Sequence, residues 1–301
     1  MFTLLLIPWF QLHGWPLVGK LEIQPFGILV ALGILLGTRV AEWRAEKTGV
    51  DPRLIADFLV YTIGIGLLCA YLLNKPLYDW DEFVEMVKQP KLFFERYMGL
   101  SSYMGFAGGV AAAFLFRHRK RATITVMGDL FCFAFPFAWF FGRMGCFVVH
   151  DHPGLVSHFF LAVDNYNQQG LPRHDLGFYE VIWSAAAIAL NLVLGRRKLP
   201  RGFFMAFIPI FYAPTRFFLD YLREVPIHGG DVRYFGFTPG QYGSIAMLIV
   251  GVLVAIRIMR GPEATIYVDG TNTPPQAAPG AGQPAVAAAM SAPRGKKKRK
   301  A

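Results

Sequence analysis

The chain has 301 residues, of which 54% are hydrophobic and only 17% are charged, and its mean hydropathy is +0.38. A soluble globular protein carries about 25% charged residues, so this composition excludes a soluble domain and predicts an integral membrane protein. The net charge of +10 is concentrated in short loops and at the C-terminus, which is typical of membrane orientation signals and argues against nucleic-acid binding.

Seven apolar segments are candidates for membrane-spanning helices, each of which needs about 20 mostly apolar residues. We predict spans at residues 26–41, 56–73, 102–116, 123–141, 177–194, 203–222 and 241–258. The third is short and contains Gly105, Gly108 and Gly109, which would allow close contact between helices. The sequence therefore predicts an all-α integral membrane fold with seven transmembrane helices.

Basic residues cluster after the first, third, fifth and seventh predicted spans. By the positive-inside rule these loops are cytoplasmic, so the N-terminus is predicted to be periplasmic and the C-terminus cytoplasmic. Residues 1–260 form the predicted transmembrane domain. Residues 261–301 are rich in Ala, Pro and Gly, end in Lys and Arg, and are predicted to be a disordered cytoplasmic tail.

The fourth span is followed by the segment G-R-M-G-C-F-V-V-H-D-H-P-G, residues 142–154. A charge at the bilayer centre costs about 2.5–3.5 kcal/mol, so Arg143 needs a reason to lie next to an uncharged apolar run. Its guanidinium is a forked donor suited to phosphate, and Gly142, Gly145 and Gly154 would permit a tight turn with accessible backbone. The alternative is an arginine that extends to the membrane surface.

His150, His152 and His158 lie close together in sequence with Asp151. A histidine such as His150 can act as a general base near neutral pH, and Asp151 could orient Arg143 or accept a proton. A hydrated loop is the alternative. The spacing matches no helix-borne metal motif, so no metal is predicted.

Tyr212, Arg216 and Asp220 are spaced four residues apart in the sixth span and share one helix face. Asp220 can neutralise Arg216, and a polar stripe in a membrane helix faces the bundle interior or a wet cavity. The alternative is an ion pair at the interface. Asp129, His174 and Glu180 are isolated polar residues, for which a structural ion pair is as good an interpretation as a site.

At these residues the chain resembles the bacterial phosphatidylglycerol–prolipoprotein diacylglyceryl transferases. The family signature, approximately G-R-x-G-N-F-x-N-x-E-x-x-G, is matched by Gly142, Arg143, Gly145, Phe147 and Gly154, with Asp151 in place of its Glu. Further matches are Asp129, Pro136, Arg173, His174, Tyr179, Glu180, Tyr212, Arg216, Asp220, Gly240 and Gln241.

The resemblance implies an enzyme of the bacterial inner membrane that transfers a diacylglyceryl group from phosphatidylglycerol to the lipobox cysteine thiol of prolipoproteins. Its partners would be phosphatidylglycerol, prolipoprotein signal peptides and the membrane, with no cofactor, no metal and no nucleic acid. The implied catalytic residues are Arg143, Arg216, Asp151 and His150. The implied substrate-binding residues are Gly142, Gly145, Gly154, Gly108, Gly109, Asp129, His174, Glu180, Tyr212 and Asp220.

Three family positions differ: the family's Asn, His and Tyr are Cys146, Ala107 and Phe26 here. Two alternatives therefore remain for thiol activation: a base, which is His150, Asp151 or His174, or the positive charge of the arginines alone, which lowers the pKa of the thiol. Two alternative functions remain: a catalytically impaired paralogue that binds lipid or lipoprotein, and an anion transporter. The transporter predicts inverted repeats, and the sequence contains no convincing one.

Overall fold

A computed structural model of the chain describes residues 6–18, 21–78, 80–92, 101–223, 233–261 and 267–268. These residues form a mostly helical protein. The helices are α1 (Pro25–Lys47), α2 (Pro52–Leu72), α3 (Asn74–Tyr78), α4 (Trp80–Lys88), α5 (Ser102–Lys120), α6 (Ile124–Val149), α7 (Leu176–Leu194), α8 (Phe203–Leu219) and α9 (Pro239–Arg260). Short 3-10 helices cover Tyr166–Gln168 and Asp220–Leu222.

Six helices are long and apolar enough to cross a membrane, namely α1, α2, α6, α7, α8 with its 3-10 extension, and α9. They correspond to six of the seven predicted spans. The remaining helix, α5, has 19 residues and a length of about 28 Å, but its last turn is basic. The seventh span therefore stays a prediction.

Local signals explain where several helices begin. The side chain of Asp51 accepts a hydrogen bond from Arg53 N at the start of α2. Thr238 and Gln241 form a reciprocal capping box at the start of α9, which satisfies backbone donors that a helix leaves unpaired. Near the C-terminal end of α1, Arg44 is buried, and its Nη1 donates to Gly195 O at 2.8 Å.

The helix α6 is central and packs against α1, α7 and α8. Small residues let these helices approach closely. A Cβ at Gly33 of α1 would lie 2.7 Å from the carbonyl oxygen of Ala138, and one at Gly37 would lie 2.9 Å from its Cβ. A second close pair is α2 with α5, where a Cβ at Gly108 would lie 2.6 Å from Cys69 Cβ.

Pro136 interrupts the hydrogen-bond ladder of α6. A proline cannot donate to the carbonyl four residues earlier, which here belongs to Cys132. Asn191 of α7 supplies the missing donor: its Nδ2 lies 3.5 Å from Cys132 O and 2.9 Å from Phe133 O. Asn191 is fully buried, so this bond also satisfies its amide nitrogen inside the bundle.

Large apolar side chains cover the outside of the bundle. Leu35, Val60, Val110, Phe218 and Leu253 are each more than half exposed. Exposed apolar surface of this extent is unfavourable in water, and the acyl chains of a bilayer would cover it.

One end of the bundle carries a compact structure that we call the cap, formed by residues 6–18 and 150–175. It contains strand β3 (Pro153–Val156) paired antiparallel with β4 (Arg173–Asp175), with Pro153 opposite Asp175. Its core consists of Val163 and Tyr166 packed on Phe147 at the end of α6. Strand β1 (Trp15–Val18) pairs with β2 (Leu21–Ile23) beside it.

A third pair joins β5 (Leu199–Pro200) to β6 (Tyr267–Val268). Two residues of the predicted disordered tail are thus in a strand pair. Residues 262–266 and 269–301 of that tail lie outside the described residues, as do residues 224–232 before α9 and residues 93–100 before α5.

Candidate active site

Arg143 lies in the last two turns of α6. The predicted turn at Gly142 and Gly145 is wrong, because α6 continues through both glycines and ends only at Val149. The Arg143 side chain is 14% exposed, and its guanidinium carbon lies 4.3 Å from the centre of the Trp139 ring one helical turn earlier. Stacking on an indole face stabilises a desolvated cation.

Glu180 of α7 is the partner of Arg143. One of its carboxylate oxygens, Oε2, lies 2.9 Å from Arg143 Nε, 3.1 Å from Trp139 Nε1 and 2.6 Å from the hydroxyl oxygen of Tyr212. The carboxylate is almost completely buried, and a buried charge is tolerated only when it is paired and hydrogen-bonded. Glu180 therefore ties α6, α7 and α8 together and fixes the Nε edge of the guanidinium.

Arg216 forms the second ion pair. Its Nη1 lies 2.9 Å from Asp220 Oδ1, and Asp220 also accepts a hydrogen bond from the Thr238 hydroxyl. Gly240 packs directly on this pair, since a Cβ there would lie 3.1 Å from Arg216 Nη2. The start of α9 thus closes over the ion pair at the end of α8.

The two arginines belong to one electrostatic site. Arg216 interacts with the charges of Glu180 and Arg143 as well as with Asp220. Two guanidinium groups with two carboxylates leave no net charge until an anion enters. Forked N–H donors in a desolvated setting then favour a phosphate.

On the side facing the cap, Arg143 Nη1 lies 3.9 Å from Cys146 Sγ and 3.5 Å from His152 Nε2. The other ring nitrogen of His152, Nδ1, is hydrogen-bonded to Asp151 Oδ1. Asp151 is 45% exposed and His152 is 24% exposed, so this part of the site is open to solvent.

Cys146, Asp151 and His152 are the one described group with metal-ligand character, and their ligand atoms lie within 4.8 Å of one another. The set does not fit a cation. Arg143, a permanent positive charge, contacts both the sulfur and the histidine, and it would repel a metal ion at that point.

His150 has a structural place. It is the C-cap residue of α6 with φ +52°, and this left-handed conformation turns its ring into the interior of the cap. Its Nδ1 lies 2.7 Å from Asp175 Oδ2 and its Nε2 lies 2.5 Å from Phe10 O. Both ring nitrogens are thus engaged by partners inside the protein, and neither is directed at the arginine cluster, where a general base would have to lie. The geometry does not support the prediction of His150 as the base.

His174 of β4 also has a fixed partner, since its Nδ1 lies 2.5 Å from the Tyr179 hydroxyl oxygen. Burial lowers the pKa of His174 below its ordinary value, which favours the neutral ring. Gly154 lies against it: a Cβ there would be 2.7 Å from His174 Cβ and 2.8 Å from Leu222 O. The glycine therefore lets the cap sit on the end of α8.

The other predicted glycines differ in their surroundings. A Cβ at Gly145 would lie 3.0 Å from the Phe26 ring, so α1 packs there, whereas a Cβ at Gly142 would meet nothing within 4 Å. Gly108 and Gly109 contact α2, and their described neighbours are Cys69 and Thr62. These two glycines serve helix packing.

Asp129 is not part of the arginine cluster. It lies fourteen residues before Arg143 on α6, about 21 Å along the axis, and its Oδ1 accepts a hydrogen bond from Phe204 N at 2.7 Å. It caps the start of α8, which is a structural contact and not a substrate site.

Sequence reasoning missed Trp139 and Asp175. Trp139 lies four residues before Arg143, a spacing that would have placed both on one helix face. Asp175 accepts from Phe178 N at the start of α7 as well as binding His150, and an Asp three residues before a helical donor is a capping signal.

A bundle of apolar helices that holds two arginines against buried carboxylates defines a polytopic membrane protein with a buried cluster of charged side chains. The sequence model of the family described as prolipoprotein diacylglyceryl transferase matches residues 15–257. The chain belongs to that family, which confirms the resemblance seen in its motifs.

Relatives named phosphatidylglycerol–prolipoprotein diacylglyceryl transferase are similar over most of the chain. The protein of Clostridium novyi (strain NT) is 26% identical over 244 residues, which cover 79% of this chain and 92% of the relative. That of Clostridioides difficile (strain 630) is 26% identical, covering 80% and 92%. That of Caulobacter sp. (strain K31) is 29% identical, covering 81% and 90%.

Proposed function

We propose that this protein transfers a diacylglyceryl group from phosphatidylglycerol to the cysteine thiol of a prolipoprotein lipobox. Membership of the family and the names of the relatives support the reaction. The observation that carries it at the level of the site is Arg143, whose Nε edge is fixed by Glu180 while Nη1 faces the cap.

In this reaction the sulfur attacks the glyceryl carbon that bears the phosphate oxygen. The C–S bond forms, the C–O bond breaks, and glycerol phosphate leaves with the electron pair. Negative charge grows on the departing phosphate. Arg143 and Arg216 are placed to stabilise that charge, and donors in a desolvated site are worth more than donors in water.

Glu180 and Asp220 act as positioning residues in this scheme. Each holds one arginine in a single orientation, so little reorganisation is needed when the phosphate enters. Tyr212 supports Glu180 through its hydroxyl. The three glycines contribute through their lack of a side chain. Gly142 leaves open space beside the site. Gly145 permits the packing of α1 around the site, and Gly154 permits the packing of the cap.

For the topology we propose seven spans, with the N-terminus periplasmic and the C-terminus cytoplasmic, in the bacterial inner membrane. Phe106, Val110 and Phe114 support α5 as the seventh span, because they follow one face of the helix and are each more than half exposed. With this orientation the cap and the arginines lie on the periplasmic side, where the signal peptide of a prolipoprotein presents its lipobox.

The test is an in vitro transfer assay with the purified protein, phosphatidylglycerol and a lipobox peptide. Arg143→Ala is expected to lower kcat by about 100- to 1,000-fold, the usual effect of removing a donor that stabilises transition-state charge. Arg39→Ala is the matched control, because the Arg39 side chain is 81% exposed and forms its ion pair with Glu42 on the same helix, α1.

Equal turnover by wild type and Arg143→Ala would remove Arg143 from the mechanism. A wild-type protein that binds phosphatidylglycerol without any transfer would contradict the enzyme and support the lipid-binding paralogue instead.

A further inference from the structure

The incoming thiol must lose a proton before its sulfur can attack, because the thiolate is the nucleophile. Ala107 offers no proton acceptor, and both ring nitrogens of His150 are engaged by Asp175 and Phe10. We propose that His152, oriented by Asp151, is the general base that accepts the thiol proton. This inference rests on the proposed function and adds a catalytic residue to it.

The hydrogen bonds of His152 fix its tautomer. Asp151 is a carboxylate and accepts, so Nδ1 of His152 carries a hydrogen. Arg143 can only donate, so Nε2, which faces Arg143 Nη1 at 3.5 Å, presents its lone pair. These contacts leave Nε2 as the acceptor nitrogen on the side of the arginine cluster.

The position of His152 suits an exchange between a thiol and a phosphate. Its lone pair points at the guanidinium proposed to hold the leaving group, and at 3.5 Å that contact is long enough to yield to a substrate. The His152 side chain is 24% exposed, whereas the His150 side chain is fully buried. A substrate can therefore reach His152 and not His150.

The charged and titratable groups around His152 come from two elements. Asp151, in the cap, faces Nδ1 and favours proton uptake by the ring. Arg143 and Cys146, on α6, face the other side, where the arginine opposes a second positive charge. The pairing of a carboxylate with one ring nitrogen and a substrate with the other is the arrangement by which an aspartate orients a catalytic histidine.

Proton transfer and sulfur attack occur together in the proposed step. The S–H proton moves to Nε2 of His152 and the sulfur forms the C–S bond. The C–O bond to phosphate breaks with its electron pair on the leaving oxygen. The imidazolium of His152 then gives its proton to the released phosphate or to water, which restores the neutral ring.

The in vitro transfer assay tests His152 as the base with the variants His152→Ala and Asp151→Asn. The control is His158→Ala, because His158 is an exposed histidine of the same cap. We expect His152→Ala to lower kcat by about 100-fold while KM for phosphatidylglycerol changes little. Its loss should also remove the acidic limb of the pH–rate profile. Added imidazole should restore part of the rate, an effect that a purely structural role would not produce. Asp151→Asn should lower kcat by about tenfold or more.

If the alanine variant does not fold, His152→Gln, which keeps a polar side chain of similar length, replaces it in the assay. Labelled-histidine NMR of the wild type gives a second, activity-independent measurement and should find the Nδ1–H tautomer. Wild-type rates in His152→Ala or His152→Gln, or the Nε2–H tautomer, would overturn the assignment of His152 alone. A wild type without turnover would contradict the proposed function, and the base with it.

Discussion

Glu180 illustrates what one buried carboxylate does in this site. Its Oε2 serves Arg143, Trp139 and Tyr212 together, and removal of either member of a buried ion pair typically costs about 3–5 kcal/mol because the other charge is left unpaired. The residue is thus needed twice, once for the stability of the bundle and once for the orientation of the guanidinium.

Tyr212→Phe isolates one part of this arrangement. The ring keeps its contacts with Trp139 and Trp183, while the hydroxyl that donates to Glu180 is lost. We expect the free energy of unfolding to fall by about 1.5–3 kcal/mol, the range for a hydrogen bond to a charged group, together with a lower kcat. Thermal unfolding in detergent and the transfer assay measure the two effects.

Tyr221→Phe is the control for that variant, since Tyr221 is 43% exposed and packs on Phe217 with its ring. Equal losses from both tyrosines would mean that the Tyr212 hydroxyl adds nothing specific to the Glu180 site.

Single residues also mark where sequence reasoning succeeded and failed. The pairing of Arg216 with Asp220 was predicted from their four-residue spacing and is present at 2.9 Å. Sequence reasoning could not show which of His150 and His152 lies beside Arg143. The answer depends on the φ of +52° at His150, which turns the His150 ring into the cap and leaves the His152 ring beside Arg143. Sequence spacing carries no information about that backbone angle.

At the scale of elements, the bundle depends on helices that approach more closely than side chains normally permit. In α2 and α5 the approach is set by Gly108, where even a methyl group would lie 2.6 Å from Cys69 Cβ. Both atoms are attached directly to the backbone, so no rotamer change can relieve the overlap and the two helices would have to separate.

Gly108→Ala should therefore lower the stability of the protein by about 1–3 kcal/mol, as overpacking of a close interface usually does. Gly64→Ala on α2 is the matched control, because a Cβ there meets nothing within 4 Å and alanine is the better helix former. The melting temperatures of both variants and of the wild type, measured in the same detergent, test this prediction. Equal or higher stability of Gly108→Ala would contradict the packing seen between α2 and α5.

Helix existence was easier to predict than helix length. Six spans follow from apolar runs of about 20 residues, yet α6 extends eight residues beyond its predicted end because Gly142 and Gly145 are flanked by residues that continue the helix. The short helices α3 and α4 were not predicted, since α4 has only nine residues and four of them are charged.

At the scale of the whole molecule, the proposed orientation makes a prediction that depends on α5. If α5 spans the membrane, Arg53 and Arg121 lie on the same, cytoplasmic side; if it does not, they lie on opposite sides. Single cysteines at these positions, in a variant in which Cys69, Cys132 and Cys146 are replaced, report the side through a membrane-impermeant maleimide.

We expect His158→Cys to react in intact spheroplasts, and Arg53→Cys and Arg121→Cys to react only after the membrane is opened. Labelling of Arg121→Cys in intact spheroplasts, with Arg53→Cys protected, would leave six spans and reject the seventh.

The convergence of α6, α7, α8 and the start of α9 near two arginines depends on contacts that are distant in sequence. Arg143 and Glu180 are separated by 37 positions, so only the packed bundle shows which acid neutralises Arg143. Asp220 and Thr238 are separated by 18 positions, and their hydrogen bond likewise could not be read from spacing. The Arg216–Asp220 pair is the exception, because both residues lie on one face of one helix.

The bond between Asn191 and the backbone before Pro136 has a mechanical consequence. A proline leaves the carbonyl four residues earlier without its usual helical donor, but here a side chain of α7 bonds that oxygen and the one next to it. The two helices are therefore joined where α6 is locally weakest. Arg143 lies two turns further along α6, so its position is coupled to this link with α7.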